Sequence, residues 1–215
     1  MRLARRRRER TDAPSFTVRV VCVRVRLTRR TGPEWPPEGI PGTKEDDHRA
    51  RRSGMRRPRP SLVLAVQIAV DDSDVPARRL LRRWAAAALE RDAAITIRFV
   101  DAAEGRALNR RYRQRKGATN VLSFVYDDED GALRGDIVLC LPVLKREAAE
   151  QGKALDAHCA HLVVHGMLHL QGYDHTLPGD ATRMESREVA VLAELGFLDP
   201  YTPPAHSLTR TRDSL

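Results

Sequence analysis

The sequence is poor in aromatic residues and has no long apolar stretch. Tryptophan, tyrosine and phenylalanine make up 5% of the 215 residues, against 41% for all hydrophobic residues, so a core must be built mainly from valine, leucine, isoleucine and alanine. A membrane-spanning helix needs roughly 18 consecutive apolar residues, and no such run is present. These features predict a soluble chain whose length suits one domain and a tail.

Cysteine is also scarce. The three cysteines are Cys22, Cys140 and Cys159, an odd number with no closely spaced pair, which excludes a disulfide framework. A reducing, cytoplasmic location is therefore expected. Cys140 falls in an apolar strand pattern and Cys159 in a helical one, so both are predicted to be small core residues.

Basic residues are abundant, but they are unevenly distributed. The net charge is +9, and residues 1–54 carry 15 lysines and arginines against 7 acidic residues. The remaining chain carries 23 basic and 22 acidic residues and is nearly neutral. A nucleic-acid partner thus cannot be inferred from net charge and would require a local basic patch.

Residues 1–54 form a low-complexity extension rich in arginine and proline. We predict that it is disordered or precedes the true start of the protein, for which Met55 is a candidate. Within it, apolar residues alternate weakly with arginine over residues 18–27. This pattern could form one strand, but no nearby segment would cover it. Residues 55–199 are predicted to form the functional domain, and 200–215 a polar tail.

A regular pattern of elements begins at Ser61. Asp74 is expected to cap the first helix, and the acidic turn at 127–131 to close a hairpin. The order β-α-β-α-β-β-α-α-α indicates an α+β fold, a single domain with a mixed sheet of about four strands packed with about five helices. The predicted strands cover 62–70, 94–100, 120–126 and 136–141, and the predicted helices cover 76–91, 102–115, 142–151, 155–171 and 180–195.

Three histidines follow a spacing typical of a metal site. His165 and His169 are four residues apart on one helix face, and Gly172 can end the helix and turn His175 back toward them. Three imidazole ligands with an open fourth position are typical of a catalytic zinc site. Histidine-only ligation favours zinc, although nickel, copper or iron also bind imidazole.

The neighbouring positions leave alternatives open. His161 shares the helix face and lines either the site or the core, whereas His158 is predicted to be structural or on the surface. The spacing matches the zinc-protease pattern His-Glu-x-x-His-x-x-Gly-x-x-His, except that Gly166 replaces the glutamate that acts as general base. Glycine cannot accept a proton, which argues against peptide hydrolysis.

Several segments together resemble a known family. Residues 165–175 read HGMLHLQGYDH and resemble the signature of the bacterial YbeY endoribonucleases, rRNA maturation factors. The resemblance covers roughly 62–199 in order. Further matching segments are LNxxYR at 108–113, TNVLSF at 119–124, GDIV at 135–138, EA at 147–148, Met184, Glu188 and LG at 195–196.

The resemblance implies a metal-dependent, single-strand-specific endoribonuclease in 16S rRNA 3′-end processing and ribosome quality control. It implies one zinc ion on the three signature histidines, which are His165, His169 and His175 here, and a functional arginine at Arg113. The RNA partner would be a 16S rRNA precursor, with the small ribosomal subunit. The chain departs from the family where Lys-Asp-x-Pro is replaced by residues 115–118, Arg-Lys-Gly-Ala, so this loop is expected to be looser and more attractive to phosphate.

A hydrolytic mechanism would use a metal-activated water, with Arg113 stabilising charge on the phosphoryl oxygens. Arg111, Arg115 and Lys116 are candidates for flanking phosphates, the alternative being a solvated helix face. A phosphate oxygen, His161 or Asp174 could take the proton, and Asp174 could instead orient a ligand histidine. The rival functions are a metalloprotease and a non-catalytic ribosome-assembly factor with a structural metal.

Overall fold

A mixed β-sheet and five helices make up the described part of the chain. The computed structural model describes residues 18–21 (backbone only), 60–126 and 133–202. The elements in chain order are β1 (Val18–Val21), β2 (Leu62–Ile68), α1 (Arg78–Ala87), β3 (Ala93–Val100), α2 (Ala102–Arg113), β4 (Val121–Tyr126), β5 (Leu133–Cys140), α3 (Leu141–Glu150), α4 (Leu155–Leu170) and α5 (Pro178–Leu195).

The strand order in the sheet is β1-β4-β5-β3-β2. Strands β2, β3 and β5 are parallel, and β4 runs antiparallel to β5 and β1. The predicted α+β fold with a mixed sheet and five helices is confirmed, as is the hairpin between β4 and β5. The acidic turn at 127–131 lies outside the described residues.

Two local predictions need correction. Strand β5 begins at Leu133 rather than at 136, because Leu133 pairs with Ala93 of β3 and Arg134 pairs with Tyr126 of β4. The predicted cap Asp74 does not cap α1, whose N-cap is Ala77 without a side-chain hydrogen bond. The Asp74 carboxylate instead forms an ion pair with Lys145 Nζ at 2.6 Å.

The structure adds a fifth, edge strand from the predicted extension. Strand β1 pairs with β4, with Val18 opposite Tyr126. It covers the first four residues of the segment 18–27, for which one strand was considered. The remainder of the extension, with Met55, Cys22 and His48, lies outside the described residues, and the C-terminal tail is described only to residue 202.

Helix α4 is the centre of the core. Every residue from 158 to 170 is buried, because the helix packs against α1, α3 and α5 and against strands β4 and β5. Gly166 permits the close approach to the sheet, since a Cβ at this position would lie 3.0 Å from two carbons of Ile137. Cys159 is buried in this cluster, as predicted. No helix in the described residues is long and apolar enough to cross a membrane.

The opposite face of the sheet carries a smaller apolar cluster beneath α2. Side chains alternate between the faces of a strand, so Leu122, Phe124 and Val138 point away from α4 and toward Leu108 of α2. The Tyr112 ring meets the Phe124 ring edge-on, with centroids 5.1 Å apart. Cys140 is buried in this second cluster, again as predicted. Helix α2 and the basic residues at its end are thereby held against β4.

Candidate metal centre

The end of α4 turns the chain back on itself. After Leu170, Gly172 adopts a left-handed φ of 93°, and the Tyr173 amide donates to the Leu168 carbonyl at 3.1 Å. This is the hydrogen-bonding pattern of a glycine-terminated helix. It brings His175 beside the histidines of the last two turns, so local backbone chemistry assembles the three-residue group that the spacing predicts.

The three imidazoles converge on one point. One ring nitrogen from each of His165, His169 and His175 lies within 4.8 Å of the other two. The Nε2 atoms of His165 and His169 are only 3.0 Å apart. The ring centroids are separated by 4.4 Å for the pair on α4 and by 5.2 and 5.7 Å for the pairs with His175.

The hydrogen bonds fix which nitrogen of each ring carries a proton. His169 Nδ1 donates to the Tyr173 carbonyl at 2.8 Å, and a carbonyl can only accept. His165 Nδ1 donates to Glu188 Oε1 at 2.6 Å. With Nδ1 as the donor, the neutral form of each ring presents an unprotonated Nε2, and these two Nε2 atoms face each other.

This arrangement fits a cation. Two nitrogen lone pairs at 3.0 Å repel each other unless a positive group lies between them, and His175 Nε2 is a buried nitrogen without a hydrogen-bond partner in the described structure. A metal ion would satisfy all three nitrogens at once. Proteins usually orient a histidine ligand by a hydrogen bond from Nδ1 to a carboxylate or a carbonyl, which leaves Nε2 for the metal.

The electrostatics keep His169 in the form that can bind a metal. Burial, followed by the neighbouring His165, lowers the pKa of His169 to about 3, so this ring is neutral at physiological pH, as metal binding requires. Burial acts to raise the pKa of Glu188, but His165 and His161 outweigh it and hold the pKa well below its usual value. Glu188 is therefore an ionised carboxylate in the core.

Glu188 is completely buried and accepts hydrogen bonds from three side chains. The donors are His165 Nδ1, His161 Nε2 at 2.9 Å and the Tyr201 hydroxyl. His161, His165 and Glu188 form a second group that could hold a metal. Because their polar atoms already bond to one another, we interpret this group as the support of the first.

Gly166 stands where a zinc protease has its general base, and a side chain at this position would point toward the sheet. Gly166 lies between the two ligands on α4, yet its Cβ direction meets Ile137 of β5. A glutamate there would have to displace the Ile137 side chain. The structure thus gives a packing reason for the glycine as well as a chemical reason against a peptidase.

His161 and Asp174, the two side chains considered as proton acceptors, occupy different positions. His161 is buried beside the ligands and reaches them through Glu188. Asp174 is exposed, and its carboxylate accepts from the His175 amide at 2.7 Å and from the Thr176 hydroxyl at 2.8 Å. Burial acts to raise the pKa of Asp174, but these two hydrogen bonds lower it overall. Asp174 thus stabilises the turn that carries His175.

Comparison with known proteins gives one family. Residues 67–196 match the family model described as "Endoribonuclease YbeY". Curated proteins named endoribonuclease YbeY are 56% identical over 140 residues in Nitrosomonas europaea and 57% identical over 143 residues in Aromatoleum aromaticum. The alignments cover 65% of this chain and 85% and 92% of those proteins.

The chain belongs to the YbeY endoribonuclease family. It is accordingly an RNA-cleaving hydrolase. A solution structure of TM1509 from Thermotoga maritima matches with 21% identity and a TM-score of 0.44, over 62% of this chain and 92% of that one.

The arginine that the YbeY resemblance singles out ends α2. Arg113 is half-buried at the last position of that helix, beside the Tyr112 ring that packs on Phe124. Arg111, Arg115 and Lys116 are exposed around it. The 115–118 loop is anchored because Asn109 Nδ2 donates to the Gly117 carbonyl at 2.8 Å.

Sequence reasoning missed three parts of this YbeY site. These are the role of Glu188, the Tyr173 carbonyl and Tyr201. A signal for Glu188 exists, because it shares the buried stripe of α5 with Met184, Val191 and Leu192, and a lone carboxylate in such a stripe requires a partner. The other two depend on how separate segments meet and leave no such signal.

Proposed function

We propose that the protein is a zinc-dependent, single-strand-specific endoribonuclease that acts in 16S rRNA 3′-end processing and ribosome quality control in the cytoplasm. The observation that carries the metal proposal is that one ring nitrogen from each of His165, His169 and His175 converges on one point, where His175 Nε2 is buried without a hydrogen-bond partner. Family membership supports the RNA substrate. The catalytic domain is proposed to span residues 55–199, to which Val18–Val21 of the preceding extension add an edge strand.

The donor set favours zinc. The three ligands are neutral imidazoles, which zinc accepts readily and which calcium and magnesium do not prefer. When bound at such an open site, zinc supplies a water nucleophile at neutral pH and polarises the phosphoryl oxygen. Glu188 and the Tyr173 carbonyl keep His165 and His169 in the tautomer that this binding requires.

Arg113 is proposed to bind the scissile phosphate. A guanidinium is always charged and offers paired donors to phosphate oxygens, and negative charge grows on those oxygens as the phosphodiester is attacked. Arg111, Arg115 and Lys116 are proposed to hold flanking phosphates, because all three are exposed next to Arg113.

The proton of the attacking water needs an acceptor, since Gly166 provides none. His161 Nε2 is engaged by Glu188, and the Asp174 carboxylate is engaged by the turn of His175. These contacts favour a phosphate oxygen of the substrate as the acceptor. We therefore expect no single side chain in this region to behave as a dedicated general base.

The test is cleavage of a labelled single-stranded RNA that spans the 16S 3′ end, with the same sequence as a duplex for comparison. We expect zinc-loaded wild-type protein to cleave only the single strand, and both His169→Ala and Arg113→Ala to lose cleavage by more than about a hundredfold. Arg82→Ala, an exposed arginine on α1, serves as the matched control and should retain cleavage.

Three other results would contradict the proposal. Equal cleavage by all proteins would indicate a contaminating nuclease, and equal cleavage of duplex would refute strand specificity. No cleavage by any protein, with zinc bound and the fold intact by circular dichroism, would favour an assembly factor whose metal is structural.

A further inference from the structure

The chain continues past the family domain and folds back onto the metal centre. The family match ends at residue 196, where Gly196 closes α5 with a left-handed φ of 88°. Phe197 then packs edge-on against Trp84, with ring centroids 6.1 Å apart. We define residues 197–202 as the C-terminal hook.

Polar contacts fix the end of the C-terminal hook. Lys153 Nζ donates to the Pro200 carbonyl at 2.6 Å, and the Tyr201 amide donates to Asp199 Oδ1 at 2.8 Å. Pro200 is buried and Tyr201 is half-buried. The hook is therefore held at Trp84 on α1 and at Lys153 before α4, with Tyr201 directed inward between these points.

The Tyr201 side chain reaches the support of the metal ligands. Its hydroxyl donates to Glu188 Oε2, and its ring meets the His161 ring edge-on, with centroids 5.6 Å apart. The other oxygen, Glu188 Oε1, receives the proton of His165 Nδ1. One carboxylate thus connects the hook to a ligand histidine.

We propose that Tyr201 is a positioning residue for the metal centre, acting through Glu188 on His165. Together with His161 it holds Oε2, which prevents rotation of the carboxylate and keeps Oε1 aligned with His165 Nδ1. Without the hydroxyl, Oε2 retains only His161 as a donor, and the His165 ring becomes less well oriented. The inference rests on the proposed metal centre.

Zinc affinity is the measurement that tests this role. We expect Tyr201→Phe to bind Zn²⁺ about tenfold more weakly than wild type in competition with a chromophoric chelator, the lower end of the range for partners of metal ligands. Tyr126→Phe is the matched control, because its hydroxyl also donates to a carboxylate, Asp136 Oδ2 at 2.5 Å, outside this network. It should bind zinc as wild type does.

A second variant approaches the hook from its other end. Lys153→Met removes the hydrogen bond to the Pro200 carbonyl without touching Glu188. We expect a smaller loss of zinc affinity, about twofold to threefold, because Tyr201 is less firmly held. A change in the absorption spectrum of the Co²⁺-substituted protein in Tyr201→Phe alone would further support a change at the ligands.

The outcomes separate the inference from the proposed function. If Tyr201→Phe lowers the melting temperature of the metal-free protein but leaves the zinc dissociation constant unchanged, Tyr201 is merely structural and the inference is wrong. If His169→Ala binds zinc as tightly as wild type, or wild type does not bind it, the metal centre itself is refuted, and the inference with it.

Discussion

Helix α4 carries a polar cluster at each end, and the two are built from the same residue types. Near its start, His158 Nε2 donates to Glu147 Oε2 at 3.1 Å, and the same oxygen accepts from Asn120 Nδ2 at 3.0 Å. Near its end, His165 donates to Glu188. The first pair links α3, α4 and the start of β4. The second holds one of the three histidines that converge at the candidate metal centre.

The two clusters differ in the position of the ring nitrogen that does not bond to the carboxylate. His158 Nδ1 is buried without a partner, but His158 belongs to neither potential metal-binding group found among the described residues. The unused nitrogens of His165, His169 and His175 converge. A histidine–carboxylate pair alone thus indicates structure as readily as function, and the convergence of three imidazole nitrogens is what distinguishes the candidate metal site.

The largest expected difference in zinc affinity is between two variants in which each carboxylate in turn is replaced by an amide. Glu188→Gln should weaken zinc binding by up to about a hundredfold, because the buried partner of a ligand histidine is neutralised. Glu147→Gln should leave zinc affinity unchanged and lower the free energy of unfolding by about 1 kcal/mol. Chelator competition and urea unfolding measure the two effects, and equal losses of zinc affinity would remove the distinction.

A smaller effect, on the free energy of unfolding, is expected from a substitution at Gly166 of α4. Gly166→Ala places a methyl group 3.0 Å from Ile137, and overpacking of this kind costs about 1 kcal/mol or more. Gly179→Ala is the control, since a Cβ there meets nothing within 4 Å. Urea unfolding should show a loss for the first variant only. An unchanged stability would mean that α4 can move away from the sheet without cost.

The smallest effect is expected from the chain that precedes the domain. A protein beginning at Met55 lacks strand β1 but retains both clusters on α4, so its zinc affinity should equal that of the full chain. Its free energy of unfolding should fall slightly, because β4 loses an edge partner. A large loss of zinc affinity would show that residues 1–54 belong to the working domain.

Local patterns predicted that the three histidines come together, because their arrangement depends on one helix and one turn. His165 and His169 are four residues apart, and Gly172 supplies the turn to His175. The same locality explains why five helices were predicted within a few residues of their observed ends. The prediction failed at Asp74, because the partner that it found, Lys145, lies on α3, far away in sequence.

The supporting residues could not be predicted for the same reason. Glu188 meets His165 only because α5 packs on α4, and Tyr201 meets Glu188 only because the C-terminal hook is anchored at Lys153. No periodicity within one element carries this information. Strand β1 is similar, since its pairing depends on the free edge of β4 rather than on its own weak alternation.

The burial of α4 from His158 to Leu170 has a consequence for how a ligand could leave the site. Amides in such a helix exchange with solvent only when much of the domain unfolds, whereas those of exposed turns exchange through local fluctuations. His165 and His169 belong to the buried helix, and His175 belongs to the partly exposed turn after it. At the proposed metal centre, ligand exchange should therefore begin at His175, because of the three histidines it alone lies outside the buried helix.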